Sequence, residues 1–346
     1  MGLEATFQRR SLALERPFSI ARGTTSETEV VTVHVTDEEG RIGIGAAAPS
    51  SHYGETAATV EAVLPDLLSI VEEAGDPTRL EHIERRLRET VRHNPSARAA
   101  VSIAVHDLAA KRLNVPLYRY WGYDSASSLG TSYTIGIDEI EAMRETAESA
   151  VDRGYGTLKV KLGTDRDVEI VRTIRAVAPD ARLFVDANEA WTPRQALAKI
   201  DRLAEFDLAF VEQPVPAENP EGLQFVYERS PVPIAADESC RTLSDVPQIA
   251  DRCDIANLKL MKCGGLREAR RMIHAARAHG LGVMLGCMLE SNASIAAACH
   301  LAPALDYADL DGALLLADDP YEGVPMPNGH IDLAALDRLG TGAALE

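Results

Sequence analysis

The sequence has no CxxC pair, and its five cysteines (Cys240, Cys253, Cys263, Cys287, Cys299) are odd in number, so neither a disulfide framework nor a thiolate zinc site is indicated. A reducing cytoplasm is the expected compartment. No uncharged apolar stretch reaches membrane-spanning length, and the amino-terminal MGLEATFQRRSL lacks the apolar core of a signal peptide. Its Met-Gly start, with Thr6, falls in an expected strand and reads as coincidence rather than an acylation signal. Basic residues are also short. Thirty-five Lys and Arg stand against 53 Asp and Glu, a formal net charge of −18. So negative a surface repels phosphate backbones and anionic headgroups, which excludes nucleic acid and membranes as expected partners. No glycine-rich phosphate turn follows a first strand, which counts against a doubly wound open sheet.

What is present is ordinary for a globular chain: 346 residues, 46% hydrophobic, with 24 Gly and 18 Pro. That length fits one large α/β barrel with an added domain, or two ordinary domains. From about residue 130, eight β-rich apolar runs alternate with amphipathic helical stretches: SYTIGI, TLKVKL, ARLFVDAN, LAFVEQP, VPIAADES, DIANLKL, GVMLGCM and YADLDG. The intervening segments include 138–153, 192–206 and 265–279, and Thr192-Pro193 is a good helix start. The pattern predicts a (β/α)₈ barrel or a variant lacking one terminal element over 126–316. Residues 1–125 read as an α+β domain, with strands near 3–13, 28–36 and 41–47, a Glu39-Gly40 turn, and helices near 55–73, 77–91 and 95–113. The segment 317–346 has no room for another repeat and is expected to pack back on the first domain, which becomes a lid over the barrel mouth.

Ionisable residues interrupt the apolar runs at their carboxyl ends, where barrel enzymes place their chemistry. Lys161, Asp186, Glu212, Asp237 and Lys259 follow one another at intervals of 25, 26, 25 and 22 residues, one βα unit each. Lys159 shares a face with Lys161. Lys262 has the other parity relative to Lys259 and lies in the following loop, so Lys259 is the preferred catalytic candidate. Three carboxylates without histidine or thiolate form a hard oxygen site suited to Mg²⁺ with open positions, one ion per subunit. Singly, an Asp in DAN or DES is as well explained by a helix cap, and two strand lysines by a solvated edge. Asp309 and Asp311 share a face of the last run, and their pair suits an ammonium group, with a cap as the plainer reading.

With LKVK (158–161), VDANEAW (185–191), VEQPV (211–215), ADES (236–239), NLKLMKCGG (257–265) and DLDG (309–312), the chain resembles the enolase superfamily, its muconate lactonizing enzyme subgroup, and within that the dipeptide epimerases. RPFSIARG and AVHDLAAK extend the resemblance through the lid. It implies a (β/α)₇β barrel with a capping domain completed by the carboxyl-terminal segment. It implies also that Asp186, Glu212 and Asp237 hold the metal, and that Lys161 and Lys259 exchange a proton on opposite faces of the carbon next to a carboxylate, with Lys159 assisting. Removing that proton makes a dianionic species that needs strong electrostatic stabilisation. Asp309 and Asp311 would take the substrate ammonium. Thr134, Cys287 and Leu289 would touch substrate, although Cys287 stands where serine is frequent and its plainer role is packing. Arg22, in the expected flexible loop SIARGTTSE, would meet a glutamate side chain or is an ordinary surface charge. Asn188 and Glu238 would orient the metal ligands.

Related acid-sugar dehydratases employ histidine bases, but none of the nine histidines ends a barrel run, and His106, His274, His279 and His300 all fall in helical segments. The expected reaction is 1,1-proton transfer on a dipeptide, plausibly L-Ala-D/L-Glu of peptidoglycan turnover, by a homo-oligomer. Muconate cycloisomerase-like or o-succinylbenzoate synthase-like chemistry, or a non-catalytic metal-binding barrel, are the alternatives.

Overall fold

The computed structural model describes residues 2–125 and 129–345. The chain opens with three antiparallel strands, β1 (Glu4–Ile20), β2 (Gly23–Thr36) and β3 (Ile42–Ala47). The Glu39-Gly40 signal marks the β2–β3 turn: Asp37 Oδ1 accepts from the amides of Glu39 and Arg41 at 3.0 Å each, and Gly40 adopts φ +78°. The β1–β2 hairpin is longer than its sequence suggests. Most of the segment expected as a loop is paired backbone, Phe18 opposite Thr25, Ser19 opposite Thr24 and Ile20 opposite Gly23. Ser19 Oγ lies 2.8 Å from Thr24 Oγ1, a cross-strand pair that favours extension.

Helices α1 (Ala57–Ala74), α2 (Leu80–Thr90) and α3 (Pro95–Arg112) pack with this sheet, burying Val31, Val33 and Val35 among Leu64, Leu67, Val101 and Leu108. Gly43 and Gly45 of β3 lie so close to the carbonyls of Ala104 and Ala100 that a Cβ at either position would collide with backbone. That contact seats α3 directly on the sheet.

The eight β-rich runs form eight parallel strands: β4 (Tyr133–Ile135), β5 (Thr157–Lys161), β6 (Arg182–Asp186), β7 (Leu208–Glu212), β8 (Ile234–Ala236), β9 (Ile255–Lys259), β10 (Gly282–Gly286) and β11 (Tyr307–Asp309). Thr131, just before β4, bridges Ala308 of β11, and Ser132 N donates to Ala308 O at 3.0 Å, which closes the ring. A helix follows each of β4 to β10, whereas β11 runs into a short 3₁₀ turn, Gly312–Leu315, the (β/α)₇β form. Thr192 and Gln195 make a reciprocal capping box at the start of the helix Pro193–Leu203. Phe184 and Phe210 stack with centroids 4.3 Å apart in an apolar cluster with Ala235, Ile255 and Met284, leaving polar groups to the carboxyl ends of the strands.

The carboxyl-terminal segment, with β12 (Tyr321–Glu322) and β13 (Ala344–Leu345), returns to the first sheet and α3. Tyr321 Oη lies 2.9 Å from His34 Nε2, and Thr341 N donates to Asp107 Oδ1 at 2.7 Å. The boundary expected at 125–126 adjoins residues outside the described ones. Among the described residues no helix is long and apolar enough to cross a membrane.

Candidate active site

Register sets the level of the site. Lys161 pairs with Asp186 and Asp186 with Glu212 across β5, β6 and β7, so three charged side chains lie side by side at the strand ends. Asp237 follows β8 directly. On the other side Lys259 pairs with Gly286 and Gly286 with Asp309. Gly286 leaves room for its neighbours, since a Cβ there would stand 2.9 Å from Asn257 Oδ1 and 3.1 Å from Lys259 Cε.

One oxygen each of Asp186, Glu212 and Asp237 lies within 4.8 Å of the others, and all three residues are buried. Lys161 Nζ is 2.6 Å from Asp186 Oδ2, and Lys259 Nζ is 2.8 Å from Asp237 Oδ2. Lys159 Nζ, fully buried, reaches Asp186 Oδ2 at 3.2 Å, Glu212 Oε2 at 2.9 Å and Asp309 Oδ2 at 2.7 Å. Glu212 Oε1 accepts from Asn257 Nδ2 at 2.6 Å, while Oε2 receives no hydrogen bond of good geometry. Burial and the charge of Asp186 push the Glu212 carboxyl up to about 8. Burial alone would raise Asp186 as well, but Lys161 and Lys159 hold it near 2. A buried, under-bonded cluster of carboxylate oxygens is a donor set for a hard divalent cation, and the residues present fit Mg²⁺.

Around this centre Asn188 donates from its amide to Asp186 Oδ1 at 2.8 Å and from Nδ2 to Oδ2 at 3.1 Å. Glu238 Oε1 accepts from Arg22 Nη1 at 2.9 Å, while its Oε2 has no partner among the described residues. Asp309 accepts from Ser132 Oγ at 2.6 Å, and Asp311 Oδ2 accepts from Thr134 N at 2.6 Å. Burial and the neighbouring Asp309 push Asp311 up to about 7, the electrostatic signature of a site short of one positive charge. Cys287 lies against Gly312, and burial pushes its thiol upward, away from a thiolate. Leu289 O accepts from Thr28 Oγ1 at 3.1 Å, joining barrel to lid.

A cavity of about 700 Å³ opens above these groups, lined by Lys159, Lys161, Lys259, Asp309, Asp311 and Thr134. Cys287, Leu289, Asn188 and Arg22 line it as well, whereas Asp186, Glu212, Asp237 and Glu238 are buried and do not themselves line it. Arg22 occupies the tip of the β1–β2 hairpin, where Nη1 also donates to Asn188 O and Glu189 Oε2, both at 3.1 Å.

Sequence reasoning missed five participants. Ser132 and Asn257 hold carboxylates, and His52 and Tyr53, from a 3₁₀ turn of the lid, line the cavity mouth. Lys262, set aside as a base, is buried and donates to Asp237 O at 2.6 Å, to Asn257 O at 2.9 Å and to the Asp237 carboxylate. The available signal was parity: Asn257 shares a face with Lys259, and Ser132 with Thr134.

Residues 3–122 match the mandelate racemase / muconate lactonizing enzyme N-terminal domain, and residues 142–346 the enolase C-terminal domain-like family. An L-Ala-D/L-Glu epimerase of Bacteroides thetaiotaomicron is 39% identical over 340 residues, covering 98% of this chain and 87% of the relative. The structure of a dipeptide epimerase from Enterococcus faecalis V583, complexed with Mg and L-Leu-L-Tyr, superposes with a TM-score of 0.94 at 33% identity, covering 99% of this chain and 100% of that one. A dipeptide epimerase from Methylococcus capsulatus, complexed with Mg and L-Arg-D-Lys, gives 0.92 at 37% identity, over 99% and 100% of the two chains.

Proposed function

This chain belongs to the enolase superfamily, in its mandelate racemase and muconate lactonizing enzyme branch, and on that premise we propose that it is a dipeptide epimerase. The observation that carries the reading is the placement of Lys161 and Lys259. They end strands four places apart in a ring of eight, so their ammonium groups face one another across the same cavity. One takes the α-proton of the carboxyl-terminal residue and the other returns a proton to the opposite face, inverting that centre.

Asp186, Glu212 and Asp237 would hold Mg²⁺, one ion per subunit; bound there, it would supply positive charge to offset the negative charge that develops on the substrate carboxylate. Asn188, Asn257 and Lys262 fix the three carboxylates. Burial alone would lower Lys259, yet Asp237 and Tyr53 hold it well above its ordinary value. A cation held by Asp237 would offset the first of those influences and leave more of the amine in the neutral form that can accept a proton. Asp309 and Asp311 bind the free α-ammonium, since a cation there relieves the strain that raises Asp311.

L-Ala-D/L-Glu is the proposed substrate, supported by the relative from Bacteroides and by Arg22, whose Nη1 is engaged while its Nε and Nη2 donate to none of the described residues. We place the enzyme in the cytoplasm, in keeping with five free cysteines, as a homo-oligomer with a lid of 1–125, a barrel of 126–316 and a returning segment of 317–346. Incubating L-Ala-L-Glu in D₂O with Mg²⁺ should load deuterium at the α-carbon of Glu and yield the L,D isomer. Exchange that persists in both Lys161→Ala and Lys259→Ala sinks the mechanism.

A further inference from the structure

β7 and β8 pair through Glu212 opposite Ala235, and beyond that pair Gln213 N still donates to Ala235 O at 2.8 Å. Asp237 lies just past the end of β8, where the strand ladder no longer holds its amide. A side chain takes over. Oε1 of Gln213 accepts from Asp237 N at 3.0 Å and from Ser239 N at 3.1 Å, so the carboxamide carries the β7–β8 pairing a step past the strand end.

The same carboxamide donates from Nε2 to Val215 O and to Ser239 Oγ, both at 2.9 Å. Two acceptor positions and two donor hydrogens are all that a glutamine side chain offers, and in this fully buried residue every one is used. Reversing the amide would set its nitrogen against two N–H groups and its oxygen against a carbonyl, so one orientation alone satisfies the set.

The backbone of Gln213 is turned to allow this. Its φ is +33°, a region that residues bearing a side chain seldom adopt and that persists where the surroundings over-determine it. The Gln213 carbonyl accepts from Glu189 N at 2.9 Å, on the β6 side of the strand. Glu189, itself at φ +69°, holds Arg22 Nη1 at 3.1 Å. Gln213 therefore follows one carboxylate of the proposed metal set, Glu212, holds the amide of a second, Asp237, and ties down the loop that leads from the third, Asp186.

We propose that Gln213 is a positioning residue of the metal centre: its carboxamide sets where Asp237 stands relative to Glu212 and Asp186, and so the fit of the three carboxylates to Mg²⁺. Lys259 and Lys262 hold the side-chain oxygens and the carbonyl of Asp237, but neither reaches its amide. The inference rests on the metal reading of the site and is independent of which dipeptide is turned over.

The test is a calorimetric titration of the metal-free full chain with MgCl₂. It compares the wild type with Gln213→Met, similar in length but without a comparable donor or acceptor, and with Gln213→Glu, which keeps an oxygen for the Asp237 and Ser239 amides. Each titration is made below that protein's own melting temperature, so that lost stability alone does not alter the result. Gln213→Met should bind Mg²⁺ about 10-fold or more weakly, and Gln213→Glu within about three-fold of the wild type or tighter. A smaller loss in Gln213→Met, or an equal loss in both variants, overturns the proposal. Should Gln213→Met not fold, Gln213→Asn, one methylene too short to reach the Asp237 amide, takes its place with the same outcomes. A wild type that takes up Mg²⁺ with this ranking of variants, yet epimerises no dipeptide, supports the positioning role and overturns the proposed reaction. A wild type that takes up no Mg²⁺ overturns both.

Discussion

Lys262 binds both ends of Asp237: its ammonium donates to the carbonyl oxygen at 2.6 Å and also to the side-chain Oδ1, while Lys259 takes Oδ2 at 2.8 Å. The two lysines therefore fix the plane of one carboxylate of the proposed metal set, each holding one of its oxygens. Lys262→Met removes one of them and leaves buried polar atoms unpaired. The expected result is a loss of roughly 3–5 kcal/mol of stability, as for breaking a buried pair, seen as a lower melting temperature. Orientation should outweigh the relief of one positive charge, so Mg²⁺ affinity should fall about 10-fold or more, read from the Mg²⁺ dependence of rate. Tighter Mg²⁺ binding would show that the charge, not the geometry, dominates.

Asp311→Asn should raise KM for a dipeptide by roughly 10- to 100-fold, the worth of a charged hydrogen bond, with a smaller change in kcat. An N-acetylated dipeptide, which has no ammonium to offer, should be a correspondingly poor substrate of the wild type. Equal KM values for the free and acetylated peptides would remove Asp311 from substrate recognition.

Gly286→Ala places a methyl group 3.1 Å from Lys259 Cε and 2.9 Å from Asn257 Oδ1. Both are side-chain atoms and can give way, so the fold should survive with a shift of tenths of an ångström. Displacing a catalytic group is costly in rate, on the order of 100-fold per ångström, so kcat should drop about 10-fold. A melting temperature near that of the wild type, measured alongside, separates this from unfolding.

His300 is buried, with Nδ1 accepting from Tyr118 N at 2.9 Å and Nε2 donating to Thr341 O at 3.0 Å, a pattern only the neutral ring satisfies. Burial lowers its pKa to about 4 from an ordinary 6.5. The folded state thus binds the proton less readily than the unfolded one. Its contribution is complete above pH 6.5 and is lost as pH falls toward 4, by about 3 kcal/mol at most. His300→Gln, which can still accept and donate, should flatten the decline in melting temperature between pH 6.5 and 4.5. An unchanged slope would assign that decline to other groups.

The barrel was readable because β5 to β9 and β11 each end in, or run directly into, a charged residue, and one βα unit separates successive charges from Lys161 to Lys259, a periodicity that tertiary packing does not disguise; β4 and β10, ending in Ile135 and Gly286, carry no such mark. The hold of Lys262 on Asp237 went unread for a definite reason. Strand parity stops at Lys259, where the chain turns into the short helix Leu260–Cys263 and curls the Lys262 ammonium back onto Asp237. The tip of the hairpin carrying Arg22 escaped for the opposite reason: from 15 to 29 no residue is buried, so no buried face fixes a pattern there, and its partners Glu189 and Glu238 are more than 160 residues away in sequence. His52 and Tyr53 come from a 3₁₀ turn of the lid, remote in sequence from the barrel strands whose cavity they line.

The bridge between Thr131 and Ala308 places the two-aspartate motif on the seam where the ring closes, with Ser132 tied to Asp309 and Thr134 to Asp311 across it. On the proposed reading, recognition of the amino end is thereby built from the same bonds that complete the barrel, and a change there disturbs both. The hairpin tip has no such duty, being tied across to the barrel through Arg22. If the proposed roles hold, adaptation to new carboxyl-terminal side chains is easiest at the lid, while the amino-end requirement stays fixed with the fold.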